Sequence, residues 1–253
     1  MALQRFDELN TLRSYAEIWY NNSSMPDKAK KKRINLCMDF TELMLLLFYM
    51  ITEQELENTE YVPFLAERLS IIASNYIGTD NLAYVNDWSQ KQAKRIVDST
   101  LEMFDEELED ISAEAEEQAT EQDHKKKEQN KSEQEETQEK SDSIHFEEFD
   151  VDISKKEYST SGFRACLIAI ECVTSVANYD DYYQAYKDGR HKKVWMCGFY
   201  KASRKTHKEA HGQETEINKP FHVGDSVLSF PGDITNNPDM KEIYGCECWC
   251  EYY

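Results

Sequence analysis

The first hundred residues of the chain place apolar and polar positions with the period of an α-helix. Apolar side chains recur at spacings of three and four in residues 65–76 and again in residues 93–101, which puts them on one face of a helix. Turn-forming residues at 21–27 and 78–81 separate such segments. The pattern predicts a helical N-terminal domain over residues 1–104.

The composition changes after residue 104, where Glu, Gln and Lys replace most apolar residues. Residues 105–148 hold 18 acidic and 5 basic side chains, which is −13 of the formal net charge of −20. Such a segment buries too little apolar surface to offset its ordering entropy. Residues 105–143 are therefore predicted to be a linker: a helical extension to about residue 122, because Ala, Glu and Gln favour helices, then a flexible part. We expect the linker to let the flanking domains separate.

Helix and strand periods both occur after residue 143. Residues 163–187 predict one long helix, residues 193–200 suit a strand, and residues 220–230 predict a hairpin that turns at Gly224. The predicted fold class is α+β. The chain is predicted to consist of a helical N-terminal domain, an acidic linker and a small α+β domain. The α+β domain spans residues 144–253 and contains one long helix and a short antiparallel sheet.

The cysteine content and the apolar runs indicate in which cellular compartment the chain could reside. The chain has seven cysteines and no secretory signal pattern, which favours reduced thiols over a disulfide scaffold. The most apolar run, residues 43–51, is shorter than the roughly 20 residues that a membrane span requires. The sequence predicts no membrane partner.

Two histidines and two cysteines form the candidate metal site. His207 and His211 are four residues apart in a segment predicted to be a short helix, so both would lie on one face. Cys246 and Cys248 would point to the same side of an extended segment. Two imidazoles and two thiolates would form a closed tetrahedral zinc site of the structural kind. The alternative is that all four are ordinary neighbours in a small core.

Catalytic motifs are incomplete in this sequence. His207 and Glu209 resemble the H-x-E half of zinc deaminases, but the P-C-x-x-C half is absent. On a helix, Glu209 would be turned about 200° from the face that bears the histidines, so it would be a poor general base. No Gly-rich phosphate loop or G-x-S-x-G motif occurs. A nucleophilic thiol activated by a histidine stays an open alternative. Because no motif selects such a thiol, the chain is predicted not to be an enzyme.

A basic stripe interrupts the acidic chain between residues 187 and 208. It contains eight Lys or Arg and one Asp, with aromatic residues between them. Such a stripe can contact nucleic-acid phosphates, and a strand edge protected by lysines is the alternative. The candidate contact residues are Arg190, Lys192, Lys193, Lys201, Arg204, Lys205 and Lys208.

Several short motifs follow one another between residues 204 and 248. They are R-x-x-H-x-x-x-H-G-Q, K-P-F-x-V-G, L-x-F-P-G-D and C-x-C. In this order they resemble the C-terminal domain of the phage Mu F-like minor head proteins, the phage head morphogenesis family. The helix around Glu171 is similar to the I-A-R-T-E helix of that family. The matched positions that we assign to a structural motif are Glu171, Arg204, Gly212, Gln213, Pro231, Gly232 and Asp233.

The resemblance implies a non-enzymatic minor head protein of a tailed phage or prophage. Such a protein would be assembled in the bacterial cytoplasm and reside in the capsid interior of the virion. Its partners would be the portal protein, other capsid proteins and, through the basic stripe, packaged DNA, and it would assist head morphogenesis or DNA packaging and delivery. The chain departs from the family at Ala169 and Ile170, where Arg and Thr are usual, and at His211, where Asp is common. The alternative function is a zinc- or cysteine-dependent nuclease or toxin that is delivered by the phage.

Overall fold

The N-terminal half of the chain is helical, as the sequence predicts. The computed structural model describes residues 2–21, 25–125, 143–146, 151–154, 158–198 and 203–253. The N-terminal helices are α1 (Ala2–Asn21), α2 (Asp27–Thr52), α3 (Tyr61–Ile77) and α4 (Leu82–Lys125), with a 3₁₀ turn (Thr79–Asn81) before α4. Helix α4 continues into the predicted linker and reaches Lys125. Residues 126–142, the rest of that linker, lie outside the described residues.

The C-terminal half combines a long helix with short antiparallel strands, which confirms the α+β fold class. Its elements are β1 (Ser143–Phe146), β2 (Val151–Ser154), α5 (Gly162–Lys187), β3 (Lys192–Met196), α6 (Lys205–Ala210), β4 (Glu214–Glu216), β5 (Phe221–Val223), β6 (Ser226–Leu228), a 3₁₀ turn (Met240–Glu242) and β7 (Trp249–Tyr252). Strand β3 lies between β4 and β7, and β1–β2 and β5–β6 are separate antiparallel pairs. The predicted hairpin is the β5–β6 pair, and its turn contains Gly224 at φ 56°.

Helix α5 is the element around which the described residues pack. The Ser161 side chain accepts a hydrogen bond from the Arg164 backbone N–H at 3.1 Å and so caps its first turn. Small and apolar residues occupy most of its circumference, and residues on every side of the helix are buried. Such a helix requires partners all round. Helices α1, α2 and α3 cover part of its surface, and β7 covers another part.

The two predicted domains share a hydrophobic core. Cys37 and Met44 of α2 belong to the same buried cluster as Cys166 and Val173 of α5, and this cluster extends to Trp195 of β3. In the described residues, 1–104 and 144–253 are therefore not separate packing units. The expectation that the linker lets them separate is corrected, because separation would expose the apolar surface of α5.

Buried charged groups also join the two halves. Arg33 of α2 donates from Nη2 to Asn178 Oδ1 at 2.8 Å and lies 3.3 Å from Asp181 Oδ2. The Glu171 carboxylate on α5 accepts hydrogen bonds from Gln92, at 3.0 Å, and from Arg95 of α4. Burial raises the pKa of Glu171, and the charge of the Arg95 guanidinium opposes this shift. Asn178 and Glu171 of α5 thus each have a cationic partner on the N-terminal helices.

Helix α2 is, among the described helices, the one that is long and apolar enough to cross a membrane, because an 18-residue stretch of it has a mean hydropathy of 1.6. In the fold 56% of that stretch is buried, and the helix also buries the charged side chain of Arg33 outside it. The core helix of a protein outside the membrane meets the same criteria, and packing against α5 accounts for the apolar face. The absence of a membrane partner stays a prediction.

Removal of Arg95 tests the polar contact between the two halves. Arg95→Met leaves the Glu171 carboxylate buried without its cation, so we expect the free energy of unfolding to fall by about 3 kcal/mol. The double variant Arg95→Met, Glu171→Leu should recover most of that loss, because no charge is then left buried. Urea unfolding followed by circular dichroism measures both.

Lys94→Met is the matched control. Lys94 directly precedes Arg95 in α4, is exposed, and pairs with Asp98 at 2.7 Å on the helix surface. An exposed pair of this kind contributes less than about 1 kcal/mol. Equal losses for Lys94→Met and Arg95→Met would contradict the role assigned to the buried pair.

Candidate metal centre

Three of the four predicted metal ligands meet in the interior. His207 Nδ1 lies 3.7 Å from Cys246 Sγ and 3.4 Å from Cys248 Sγ. All three side chains are buried, and their ligand atoms lie within 4.8 Å of one another. The cluster has the atom types and the spacing to hold a metal ion.

The two nitrogen–sulfur distances are close to those of a tetrahedral zinc shell. Zinc binds nitrogen at about 2.1 Å and sulfur at about 2.3 Å, so at a tetrahedral angle the two ligand atoms are about 3.6 Å apart. The distances from His207 Nδ1 to the two sulfur atoms fall on either side of this value. The nitrogen and the sulfurs therefore already have the separations that one ion requires.

The second nitrogen of the histidine ring faces a buried carboxylate. His207 Nε2 lies 3.1 Å from Glu242 Oε2, and the same oxygen accepts a hydrogen bond from Thr206 Oγ1 at 2.7 Å. In metal sites, a carboxylate next to the far nitrogen of a ligating histidine fixes the ring orientation and the tautomer. Glu242 is therefore placed to keep Nδ1 directed at the thiols.

Polar side chains of α5 position the cysteine segment. Thr174 Oγ1 donates to the backbone carbonyl of Cys246 at 2.8 Å. Asn178 Nδ2 donates to the carbonyls of Cys248 and Pro231, both at 3.0 Å. The two cysteine carbonyls are thus fixed by a helix that is itself buried, and the sulfur atoms are held on the side that faces His207.

The Pro-Gly-Asp turn packs directly on the same helix. Gly232 has φ 82°, and a Cβ atom at this position would lie 2.9 Å from the backbone nitrogen of Ser175. The fully buried Asp233 carboxylate accepts hydrogen bonds from the backbone N–H groups of Ser229, at 3.0 Å, and Thr235, at 2.9 Å. Position 232 requires glycine for two reasons. Its φ is positive, and there is no space for a Cβ atom.

The remaining motif residues connect neighbouring loops. Gln213 Oε1 accepts from the backbone N–H of His222 at 3.0 Å, and the N–H of Gly212 donates to Trp195 O at 2.8 Å. Arg204 donates to the carbonyl of Tyr244. Each of these contacts lies within the C-terminal half, around the cluster of His207, Cys246 and Cys248.

His211 does not join the cluster, and its assignment as a ligand is corrected. Helix α6 ends at Ala210, and His211 has the extended backbone angles φ −56° and ψ 129°. Its Nδ1 accepts a hydrogen bond from the backbone N–H of Cys197 at 3.1 Å. Because the helix stops before His211, the two histidines do not share the helical face that their spacing predicted.

The cluster favours one thiolate. The pKa of Cys246 is well below its usual value, first because of the hydrogen bond from the Cys248 thiol and then because of the bond with His207. The pKa of Cys248 is raised, first by hydrogen bonds with Cys197 and Cys246 and then by burial. Burial lowers the pKa of His207, but the hydrogen bond with Cys246 and the charges of Cys246 and Glu242 together outweigh burial, so the net shift is upward. The thiolate is the form of cysteine that binds metals.

A further cysteine lines the cavity beside the cluster. The cavity has a volume of about 40 Å³, and Cys197, Ser203 and Arg204 form its wall together with the three clustered residues. The sequence reasoning did not single out Cys197. In the structure, the alternation of β3 continues one residue past the strand and directs residues 193, 195 and 197 to the same buried side.

The basic stripe is only partly available to nucleic acid. Lys193 is 1% exposed, donates from Nζ to Ser229 O at 2.6 Å and lies 4.8 Å from the centre of the Phe221 ring. Burial lowers the pKa of Lys193 to about 8. The prediction that Lys193 contacts nucleic acid is wrong, because its ammonium group faces the interior.

The other members of the stripe differ in their surroundings. Lys192 forms an ion pair with Glu214, and Lys205 lies 3.5 Å from Glu209. Arg190 is exposed and Lys208 is half-buried, whereas Lys201 lies outside the described residues. Carboxylates thus accompany part of the predicted contact surface.

Comparison of the chain with protein-family models, with curated proteins and with solved structures found no match. The resemblance to the phage head morphogenesis family therefore rests on the motifs of the chain itself.

Substitution of Gly232 tests whether the turn must approach α5. Gly232→Ala would place a methyl group against the backbone at Ser175 and should lower the free energy of unfolding by about 3 kcal/mol. Gly189→Ala is the matched control, because Gly189 also has a positive φ, 71°, but has open space around its Cα. It should cost only the backbone strain, about 1 kcal/mol. Equal losses in urea unfolding would contradict the close approach.

Proposed function

We propose that the chain is a non-enzymatic minor head protein of a tailed phage or prophage, whose C-terminal half is stabilised by one structural zinc ion. The metal ligands are His207, Cys246 and Cys248. The observation that carries the metal proposal is the pair of nitrogen–sulfur distances, 3.7 Å and 3.4 Å, at a buried position.

The ligand types favour zinc. Thiolate and imidazole together select soft or borderline ions, and a tetrahedral arrangement of sulfur and nitrogen is typical of zinc. A closed site with buried ligands is the structural kind, since a catalytic zinc keeps an open position for water or substrate.

The surroundings favour a structural role over catalysis. Cavities that bind small substrates usually have volumes of about 300–1,000 Å³, whereas the cavity beside the cluster measures about 40 Å³. Glu242 is held by Thr206 and His207, and Glu209 is an exposed partner of Lys205. In the described residues, no geometry around the cluster favours the alternative of a zinc- or cysteine-dependent nuclease or toxin.

The assignment to phage heads is supported by where the motif residues lie. Residues from all four motif blocks pack around one cluster and one helix, so the motifs belong to a common structural unit. As a minor head protein, the chain would bind the portal protein and other capsid proteins inside the virion, after assembly in the bacterial cytoplasm. A contact with packaged DNA would use Arg190, Lys205 and Lys208, which the structure does not bury.

The metal proposal predicts that the purified chain contains about one zinc ion per molecule. This ion should stabilise the folded state, because the folded chain binds it and the unfolded chain does not. A free zinc concentration 100 times the dissociation constant should add about 2.7 kcal/mol to the free energy of unfolding. A strong chelator should remove this increment, and His207→Ala should abolish it. Elemental analysis and thermal unfolding with and without chelator measure these effects.

His222→Ala is the control for the metal experiment, because the His222 side chain is exposed on β5, whereas the three ligands are buried. This variant should keep the zinc content of the parent chain. Less than about half an equivalent of zinc in the parent, with thermal unfolding unchanged by chelator, would contradict the structural zinc site.

The head-protein proposal has its own test, which does not depend on metal. Particles from the producing bacterium should contain the chain when DNA-filled heads are purified and examined by quantitative mass spectrometry. A portal gene should lie next to its coding sequence. A chain that is found only in the particle-free fraction of the lysate would refute the assignment.

A further inference from the structure

The pairing of β3 with β7 extends towards the metal-binding cluster. In this antiparallel pair Trp195 is opposite Cys250 and Met196 is opposite Trp249. One further step along the same register brings Cys197 opposite Cys248. Directly opposed residues of antiparallel strands point to the same face, with Cβ atoms about 5 Å apart.

Burial and the cavity lining place the Cys197 side chain beside the cluster. Cys197 is 3% exposed and lines the cavity that His207, Cys246 and Cys248 line. The Cys197 side chain therefore borders the place where an ion would sit.

We propose that Cys197 is the fourth ligand, so that the ion has a Cys₃His shell with Cys246, Cys248 and His207. This inference rests on the proposed zinc site and completes its coordination. A structural zinc site has four protein ligands, and three would leave an open position at a buried ion. Cys197 Sγ is not one of the atoms within 4.8 Å of one another, so binding requires rotation of its side chain towards His207.

The cavity around this shell is mixed in charge. Three thiolates around a divalent cation give a net charge of −1, and the cationic side chain of Arg204 and the acidic residue Glu247 both line the cavity. His211 accepts a hydrogen bond from the Cys197 backbone N–H, so it supports the chain at the fourth ligand instead of binding metal. Binding releases the protons of those thiols that are protonated in the metal-free protein.

X-ray absorption at the zinc edge of the full-length, zinc-loaded chain tests the ligand set directly. Three sulfur neighbours at about 2.3 Å and one nitrogen at about 2.1 Å are expected. Two sulfur neighbours with two nitrogen or oxygen neighbours would overturn the role of Cys197 and leave the metal site itself intact. A parent chain that takes up no zinc would overturn both proposals.

Cobalt substitution supplies a test by variants. Addition of Co²⁺ to the metal-free full-length chain should produce the absorption of a tetrahedral ion and a thiolate charge-transfer band. Cys197→Ser should reduce that band by about one third, the share of one thiolate among three, and should weaken zinc binding at least about tenfold. Cys197→His should restore tetrahedral binding with the weaker charge-transfer band.

Two controls separate the fourth ligand from its neighbours. Cys250→Ser removes a buried thiol from the same strand pair and should leave the spectrum unchanged. His211→Ala should keep the tetrahedral spectrum but bind the ion more weakly, because it removes the acceptor of the Cys197 backbone N–H. If Cys197→Ser keeps the full charge-transfer band and the affinity of the parent, the proposal is wrong. Loss of the tetrahedral spectrum in His211→Ala with retention in Cys197→Ser would assign the fourth position to His211 instead.

Discussion

The contact on which the C-terminal half depends is the attachment of its loops to polar side chains of α5. Thr174 and Asn178 lie on a helix that is buried on most sides, and they donate to the carbonyls of the cysteine segment and of the Pro-Gly-Asp turn. A buried carbonyl without a partner costs roughly 1–3 kcal/mol. These hydrogen bonds therefore determine which loop conformations are compatible with the core.

This constraint explains why the cluster of His207, Cys246 and Cys248 is formed by segments that are far apart in sequence. His207 belongs to a short helix, and the two cysteines precede the last strand of the sheet. Strand β3 and helix α5 hold the cysteine segment from two sides, while the Glu242 carboxylate lies 3.1 Å from His207 Nε2. A zinc ion would add a direct bond between segments that the fold has already brought together, so the ion stabilises this arrangement and does not need to create it.

Charge is distributed in the fold according to the same logic. Most of the acidity of the chain belongs to residues 105–148, and among the described residues buried ions form contacts between the N-terminal helices and α5. Arg95 with Glu171 and Arg33 with Asn178 are such contacts. Buried ions require partners, and these partners tie the helical half to the half that carries the cluster. The structural unit is thus larger than the segment in which the motifs occur.

Local sequence signals determined the elements of this protein. Apolar periodicity predicted the N-terminal helices and α5, and the glycine turn predicted the β5–β6 hairpin, because these signals act within a few residues. The grouping of His207 with Cys246 and Cys248 was also predicted, from the residue types and their local spacing. Tertiary structure alone decided that α6 ends before His211, that β3 turns Lys193 and Cys197 inward, and that both halves share a core. Each of these depends on strand register or on the packing of α5 against residues more than a hundred positions away, which no local pattern contains.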